Sequence, residues 1–103
     1  YRQPPQVIVS FNELARTEVT AAIRWLAEKA GPNIAADFDT EVWRAIGRVA
    51  QRPLIGTPGI RNTRRVMVHR FPYSIVYRLD GESIRILAIA HQHRRPRYWA
   101  GRG

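Results

Sequence analysis

The chain has 103 residues, is 45% hydrophobic, contains no cysteine and carries a net charge of +9. A chain this short buries one modest core, so a single domain over residues 1–103 is expected. The absence of cysteine excludes disulfides and thiolate metal sites and fits a reducing, cytoplasmic setting; no apolar run reaches the roughly 20 residues of a membrane span. In chain order, the sequence starts at Tyr1 rather than Met, so a short N-terminal piece is expected to be missing or processed. No charged-then-apolar leader precedes Gln6 to Phe11, a short β-branched segment that reads as a first strand. Asn12 is a good N-cap, and Ala15, Val19, Ala22, Ile23, Leu26 and Ala30 recur at helical spacing, predicting a helix over Glu13 to Lys29.

Gly31-Pro32-Asn33 supplies a stop, a residue that cannot continue the helix, and a new cap. The second helix follows at once, with Ile34, Phe38, Val42, Ala45, Ile46 and Val49 as its apolar stripe and an end before Pro53. Helices joined so tightly form an antiparallel hairpin, with Trp25 and Trp43 flanking its core. Residues 53–62 hold two prolines and two glycines and read as a loop. Three strands are then predicted, Thr63 to His69, Tyr73 to Leu79 and Glu82 to His91, with a short tail from Arg94. The predicted fold is α+β, β-α-α-β-β-β, a helical hairpin packed on one face of a largely antiparallel sheet.

Asp80-Gly81 between alternating segments predicts a type I′ hairpin turn in which Leu79 faces Glu82. That register pairs Tyr77 with Ile84, Ile75 with Ile86 and Tyr73 with Ala88, making one face apolar enough to take the helices. The opposite face then carries Ser74, Val76, Arg78, Arg85, Leu87, Ile89 and His91 and has no partner within the chain. Charge points to the same half of the molecule. Residues 1–60 carry seven basic and six acidic side chains, whereas residues 61–103 carry ten arginines against Asp80 and Glu82, together with all three histidines. Arginine's planar fork suits phosphate or carboxylate, so an acidic partner is expected, either nucleic acid or an acidic protein segment. High genomic GC content also enriches arginine over lysine, but it does not explain the asymmetry.

Three stretches stand together once the strands are placed. RRVMVHRFPYSIVYR (Arg64 to Arg78), IRILAIAHQHRRPRYW (Ile84 to Trp99) and the helical break GPNIAADF (Gly31 to Phe38) resemble, in this order and spacing, toxins of the RelE/ParE superfamily. The AHQHRRPRYW ending and the proline in FPY are more similar to the ParE branch. The resemblance implies a toxin neutralised by a cognate antitoxin encoded beside it, whose acidic, amphipathic C-terminal segment wraps the toxin as a hetero-oligomer. It further implies one of two targets. RelE-like members cleave messenger RNA on the ribosome, using the RNA's own 2′-hydroxyl, whereas ParE-like members poison DNA gyrase and are not known as nucleases. The reading adopted is a gyrase-binding toxin that needs no cofactor or metal. The alternatives are a ribosome-dependent endoribonuclease and a basic binding module without toxicity.

The candidate residues follow from these patterns, each with a bland counterpart. His91 can move protons near neutrality, with a pKa that surrounding arginines would depress, or it can simply bond backbone at a strand end. Arg78 and Arg85 share a face, joined by either Arg64 or Arg65 through strand alternation, and can clamp phosphate, pair with antitoxin carboxylates, or remain a solvated surface. Arg94, Arg95 and Arg97 beside Tyr98 and Trp99 suit base stacking or an interface anchor, while Trp99 can equally pack the tail on the domain. If the chain is a ribonuclease, Arg65, His91 and Tyr98 carry the chemistry. The antitoxin is expected to bury Val76, Leu87 or Ile89 while its carboxylates meet Arg78 or Arg85.

Overall fold

Asn12 opens the first helix as its side-chain chemistry suggests, its Oδ1 accepting the Leu14 N–H at 2.8 Å. The computed structural model describes residues 7–103, so the expected start of the first strand at Gln6 lies outside the described residues. Within them β1 is Ile8–Phe11 and α1 is Glu13–Ala30. Gly31 alone links the helices, at φ 97°, and α2 begins directly at Pro32 and runs to Gln51. The expected cap at Asn33 is therefore two residues late. Proline fits the first helical position because its fixed φ is helical and its missing N–H has no partner there anyway.

The two helices pack on each other and on one face of a sheet ordered β1-β5-β4-β3-β2. Its remaining strands are β2 (Thr57–Pro58), β3 (Thr63–Met67), β4 (Tyr73–Asp80) and β5 (Ser83–His91). The pairings are antiparallel except β1 with β5, which run parallel, so the first strand closes the sheet beside the last. The expected stripes meet here. Phe38, Val42, Ala45, Ile46 and Val49 of α2 join Ala15, Ala22 and Leu26 of α1 over Ile75, Tyr77, Ile84, Ile86 and Ile89. Phe38 stacks edge-on against Phe71 at 5.2 Å and tilts against Tyr73 at 4.9 Å. Trp25 and Trp43 stay about half exposed beside this core, Trp43 edge-on to Phe11 at 5.8 Å.

The hairpin register differs from the expected one twice. Asp80 pairs with Ser83, so the turn residues are Gly81 and Glu82, and Gly81 supplies the positive φ (63°) at the first central position. A two-residue loop with glycine first is the other favoured hairpin turn. Leu79 therefore faces Ile84 and Tyr77 faces Ile86, a shift of two positions that leaves each residue on its expected face. The second difference is a bulge. Tyr77 pairs with Ile86 but Val76 pairs with Ala88, so Leu87 is an extra residue on β5. Alternation reverses beyond it, which lets Ile86, Leu87, Ala88 and Ile89 all be buried, toward one side or the other.

The segment expected as plain loop is anchored. Tyr77, fully buried, donates its hydroxyl to the Pro53 carbonyl at 2.7 Å and accepts the Gly56 N–H at 3.0 Å. A Cβ at Gly56 would stand 2.6 Å from the Tyr77 hydroxyl and 2.9 Å from the Arg65 carbonyl, so only glycine fits. This fixes the chain for β2, whose Thr57 and Pro58 pair with Arg65 and Arg64. At the other end of β3 the chain turns at Arg70 (φ 72°), ending the strand before the expected His69.

Candidate functional site

On the sheet face away from the helices, the register places Arg65 opposite Val76, Thr63 opposite Arg78, and Arg78 opposite Arg85. The alternation question between Arg64 and Arg65 is thereby resolved. Arg64 pairs with Tyr77, off this face, and its Nη1 donates to the carbonyls of Leu54 (3.0 Å) and Gly56 (2.9 Å), holding the loop. Two further residues move because of the bulge. Ile89 joins the helix-side core, and His91 pairs with Tyr73, its ring edge-on to that tyrosine at 5.0 Å. Leu87, by contrast, remains on the expected face with Val76.

That face does have a partner within the chain. After β5 the tail folds through successive tight turns, with N–H groups of Arg94, Tyr98, Ala100 and Arg102 donating to carbonyls three residues earlier. Arg97 takes a left-handed φ of 62° in this path. The turns lay Tyr98 and Trp99 over Val76, Leu87 and Ala88, which are 3%, 0% and 0% exposed. Arg85 donates through Nε to the Gly103 main-chain oxygen (3.2 Å), and Arg78 through Nε to the Arg61 carbonyl (3.2 Å). Val76, Leu87 and Ile89, the residues expected to be buried by the antitoxin, are already covered by elements of this chain. The first two lie under the tail and the third under the helices.

The tail is tied to α1 through Glu18. β1 accompanies β5 only as far as Ile86, so the following β5 groups on that edge need other partners. Glu18 Oε1 accepts the Ile89 N–H at 3.1 Å, and Arg102 Nη1 donates to the Leu87 carbonyl at 3.0 Å. The two side chains form a bidentate pair at 2.8 and 3.2 Å, and Glu18 Oε2 also accepts the Tyr98 hydroxyl at 2.6 Å. Burial first, then this hydrogen bond and the negative charge of Glu18, push the Tyr98 phenol well above its usual range, against the opposing pull of Arg102 and Arg94. The Arg94 guanidinium lies over the Tyr98 ring at 4.0 Å.

Between the tail, the β3–β4 pair and the loop at Thr57–Ile60 lies a cleft of about 400 Å³. Of the expected residues it gathers Arg64, Arg65, Val76, His91, Arg94, Arg95 and Tyr98, and leaves out Arg78, Arg85, Leu87 and Ile89. It also gathers Arg97, expected as part of the tail's cationic run, and the rim of β2. No acidic residue lines it. Arg65, Arg94, Arg95 and Arg97 are exposed, and none belongs to the ion pairs found among the described residues, which join Arg44 to Glu41, Arg70 to Asp37 and Arg102 to Glu18. Guanidinium groups on opposing walls, with no carboxylate to neutralise them, favour an anionic ligand at the cleft. Arg97 was legible in the sequence as part of the tail's basic run. Glu18 was not, because a carboxylate flanking a helical stripe gives no sign of partners 71 to 84 residues away.

Fold and cleft define a small basic α+β protein that presents a cationic groove between its sheet and its own tail. A model of the ParE toxin of type II toxin-antitoxin systems, parDE, matches residues 9–96, and the chain belongs to that family. Y4kP of Sinorhizobium fredii, a protein named for an inferred toxin role, is 34% identical over 67 residues, which span 64% of this chain and 69% of Y4kP. Among solved structures, a chain from a chromosomal ParDE toxin-antitoxin system of P. aeruginosa superposes with a TM-score of 0.73 at 19% identity, over 84% of this chain and 96% of that one. A chain of the RelBE2 toxin-antitoxin complex of Mycobacterium tuberculosis gives 0.54 at 28% identity, over 84% and 99%.

Proposed function

We propose that this toxin arrests growth by binding DNA gyrase and is neutralised by a cognate antitoxin that covers the cationic cleft with an acidic, amphipathic segment. The observation that carries the reading is the cleft itself, where Arg65 on the sheet faces Arg94, Arg95 and Arg97 on the tail with no acidic residue in the lining. The structural relatives come from toxin-antitoxin assemblies, which supports a hetero-oligomer with an antitoxin. Antitoxin carboxylates then meet these four arginines rather than Arg78 and Arg85, whose Nε groups already bond main-chain oxygens. The setting is the cytoplasm, where both partners are made; among the described residues no helix is long and apolar enough to cross a membrane.

Binding rather than proton transfer is favoured by the state of Tyr98, whose hydroxyl already donates to Glu18 at 2.6 Å. Expression of the chain alone in a host without antitoxin tests the reading. Growth arrest with filamentation and DNA-damage signalling, reversed by the antitoxin encoded beside it, is the expected result. Normal growth at full soluble expression sinks it.

A further inference from the structure

Glu18 sits on α1, outside the cleft, yet both its oxygens serve the tail and the β5 edge. Its side chain is 17% exposed and that of Arg102 is 12%. Apart from the part-buried bond from Arg102 to the Leu87 carbonyl, the tail's other side-chain ties are exposed ones. Arg61 donates to the Ala100 carbonyl, while Asn12 and Arg85 donate to the Gly103 oxygen. Water competes well for such contacts, so the shielded, bidentate pair is the one that fixes the tail. Three of the cleft's cations, Arg94, Arg95 and Arg97, ride on that tail. A flexible tail would have to be ordered on binding, whereas a fixed one offers its charges already in place.

We infer that Glu18 is a positioning residue for the cationic cleft: by holding Arg102 and Tyr98 it sets Arg94, Arg95 and Arg97 opposite Arg65, so that an acidic partner meets a preformed wall. The inference rests on the reading of the cleft as the anion-binding site. It assigns to a carboxylate, on a helix that contributes nothing to the cleft lining, control over how well the site binds carboxylates.

Removing one member of a shielded pair strands the other charge and can unfold the chain. The test therefore compares the full-length wild type with Glu18→Gln and with the double variant Glu18→Gln/Arg102→Gln, which strands neither. Three quantities are read: thermal unfolding by circular dichroism, the rate of trypsin cleavage after Arg94 and Arg97 relative to cleavage within the helices, and affinity for a fluorescein-labelled oligoglutamate peptide. The double variant is expected to keep its helix and sheet signal, to be cut in the tail roughly tenfold faster than in the helices relative to wild type, and to bind the peptide roughly tenfold more weakly. A role confined to stability would speed cleavage everywhere in step with unfolding and leave the affinity of the folded fraction unchanged; that result overturns the inference. So does wild-type tail protection in the double variant, or a wild type with no measurable affinity for the peptide. Growth arrest by the wild type is scored separately. A chain that binds and releases its tail as described, but does not arrest growth, sinks the toxin reading and leaves the role of Glu18 standing.

Discussion

Replacing Tyr98 by phenylalanine keeps the ring on Val76, Leu87 and Ala88 and removes only the hydroxyl that donates to Glu18 at 2.6 Å. A hydrogen bond to a charged acceptor contributes about 1.5–3 kcal/mol. Here the loss falls toward the lower end, because Glu18 keeps Arg102 and the Ile89 N–H and the tyrosine is only partly buried. A cost of about 1–2 kcal/mol in a chain of this size lowers the melting temperature by roughly 5–12 °C. The difference from wild type also has a defined pH dependence. Since the folded phenol is raised, its contribution is fully present below the unfolded value of about 10 and is lost as pH rises through the folded one, so the two melting curves converge only at strongly alkaline pH. Growth arrest persists in this variant, because binding requires no proton from Tyr98. A ribonuclease using that hydroxyl would instead lose about 10²- to 10⁴-fold in rate. Calorimetry and a growth assay at matched soluble expression check both halves. A folded Tyr98→Phe chain that is no longer toxic refutes the reasoning.

Truncation before Arg94 removes three cleft arginines and bares Val76, Leu87 and Ala88, so it abolishes toxicity where Tyr98→Phe does not; retained toxicity would place the active surface elsewhere. Tyr77→Phe leaves the Gly56 N–H and the Pro53 carbonyl without a partner in the core and is expected to cost about 2–4 kcal/mol in urea unfolding, a figure that an unchanged midpoint would contradict. Gly56→Ala forces its methyl against the same hydroxyl and the Arg65 carbonyl, destabilising by about 1–3 kcal/mol in the same assay. Arg65→Gln combined with Arg97→Gln weakens antitoxin affinity and makes its fall with added salt shallower, since fewer ionic contacts remain to be screened. Titration at several salt concentrations measures that slope.

The helices were legible because their signals are local. Asn12 caps, Gly31-Pro32 punctuates, and the stripes repeat at the helical period, so α1 was expected within one residue of its observed end. The hairpin shows where local reading stops. Both Asp80-Gly81 and Gly81-Glu82 satisfy a two-residue turn, and only pairing along the whole strand selects the second. The bulge at Leu87 has no turn residue to announce it. With it Ile89 rather than Ala88 joins the helix-side core, while Ala88 lies with Leu87 beneath the tail. From that one extra residue follow the displacement of Ile89 and His91 from the expected face. The tail's role was hidden for a different reason. Its cations and aromatics read correctly as a binding composition, but its attachment depends on Glu18, distant in sequence and unremarkable in its own helix.

The measurement that tests the central claim most directly sets purified toxin against purified gyrase and against translating ribosomes in parallel, with Tyr98→Phe and Arg65→Gln/Arg97→Gln as companions. The account predicts that supercoiling is inhibited by wild type and by Tyr98→Phe, less so by the double arginine variant, and that ribosome-bound message stays intact. Cleavage of that message in a Tyr98-dependent way, with supercoiling untouched, would contradict it.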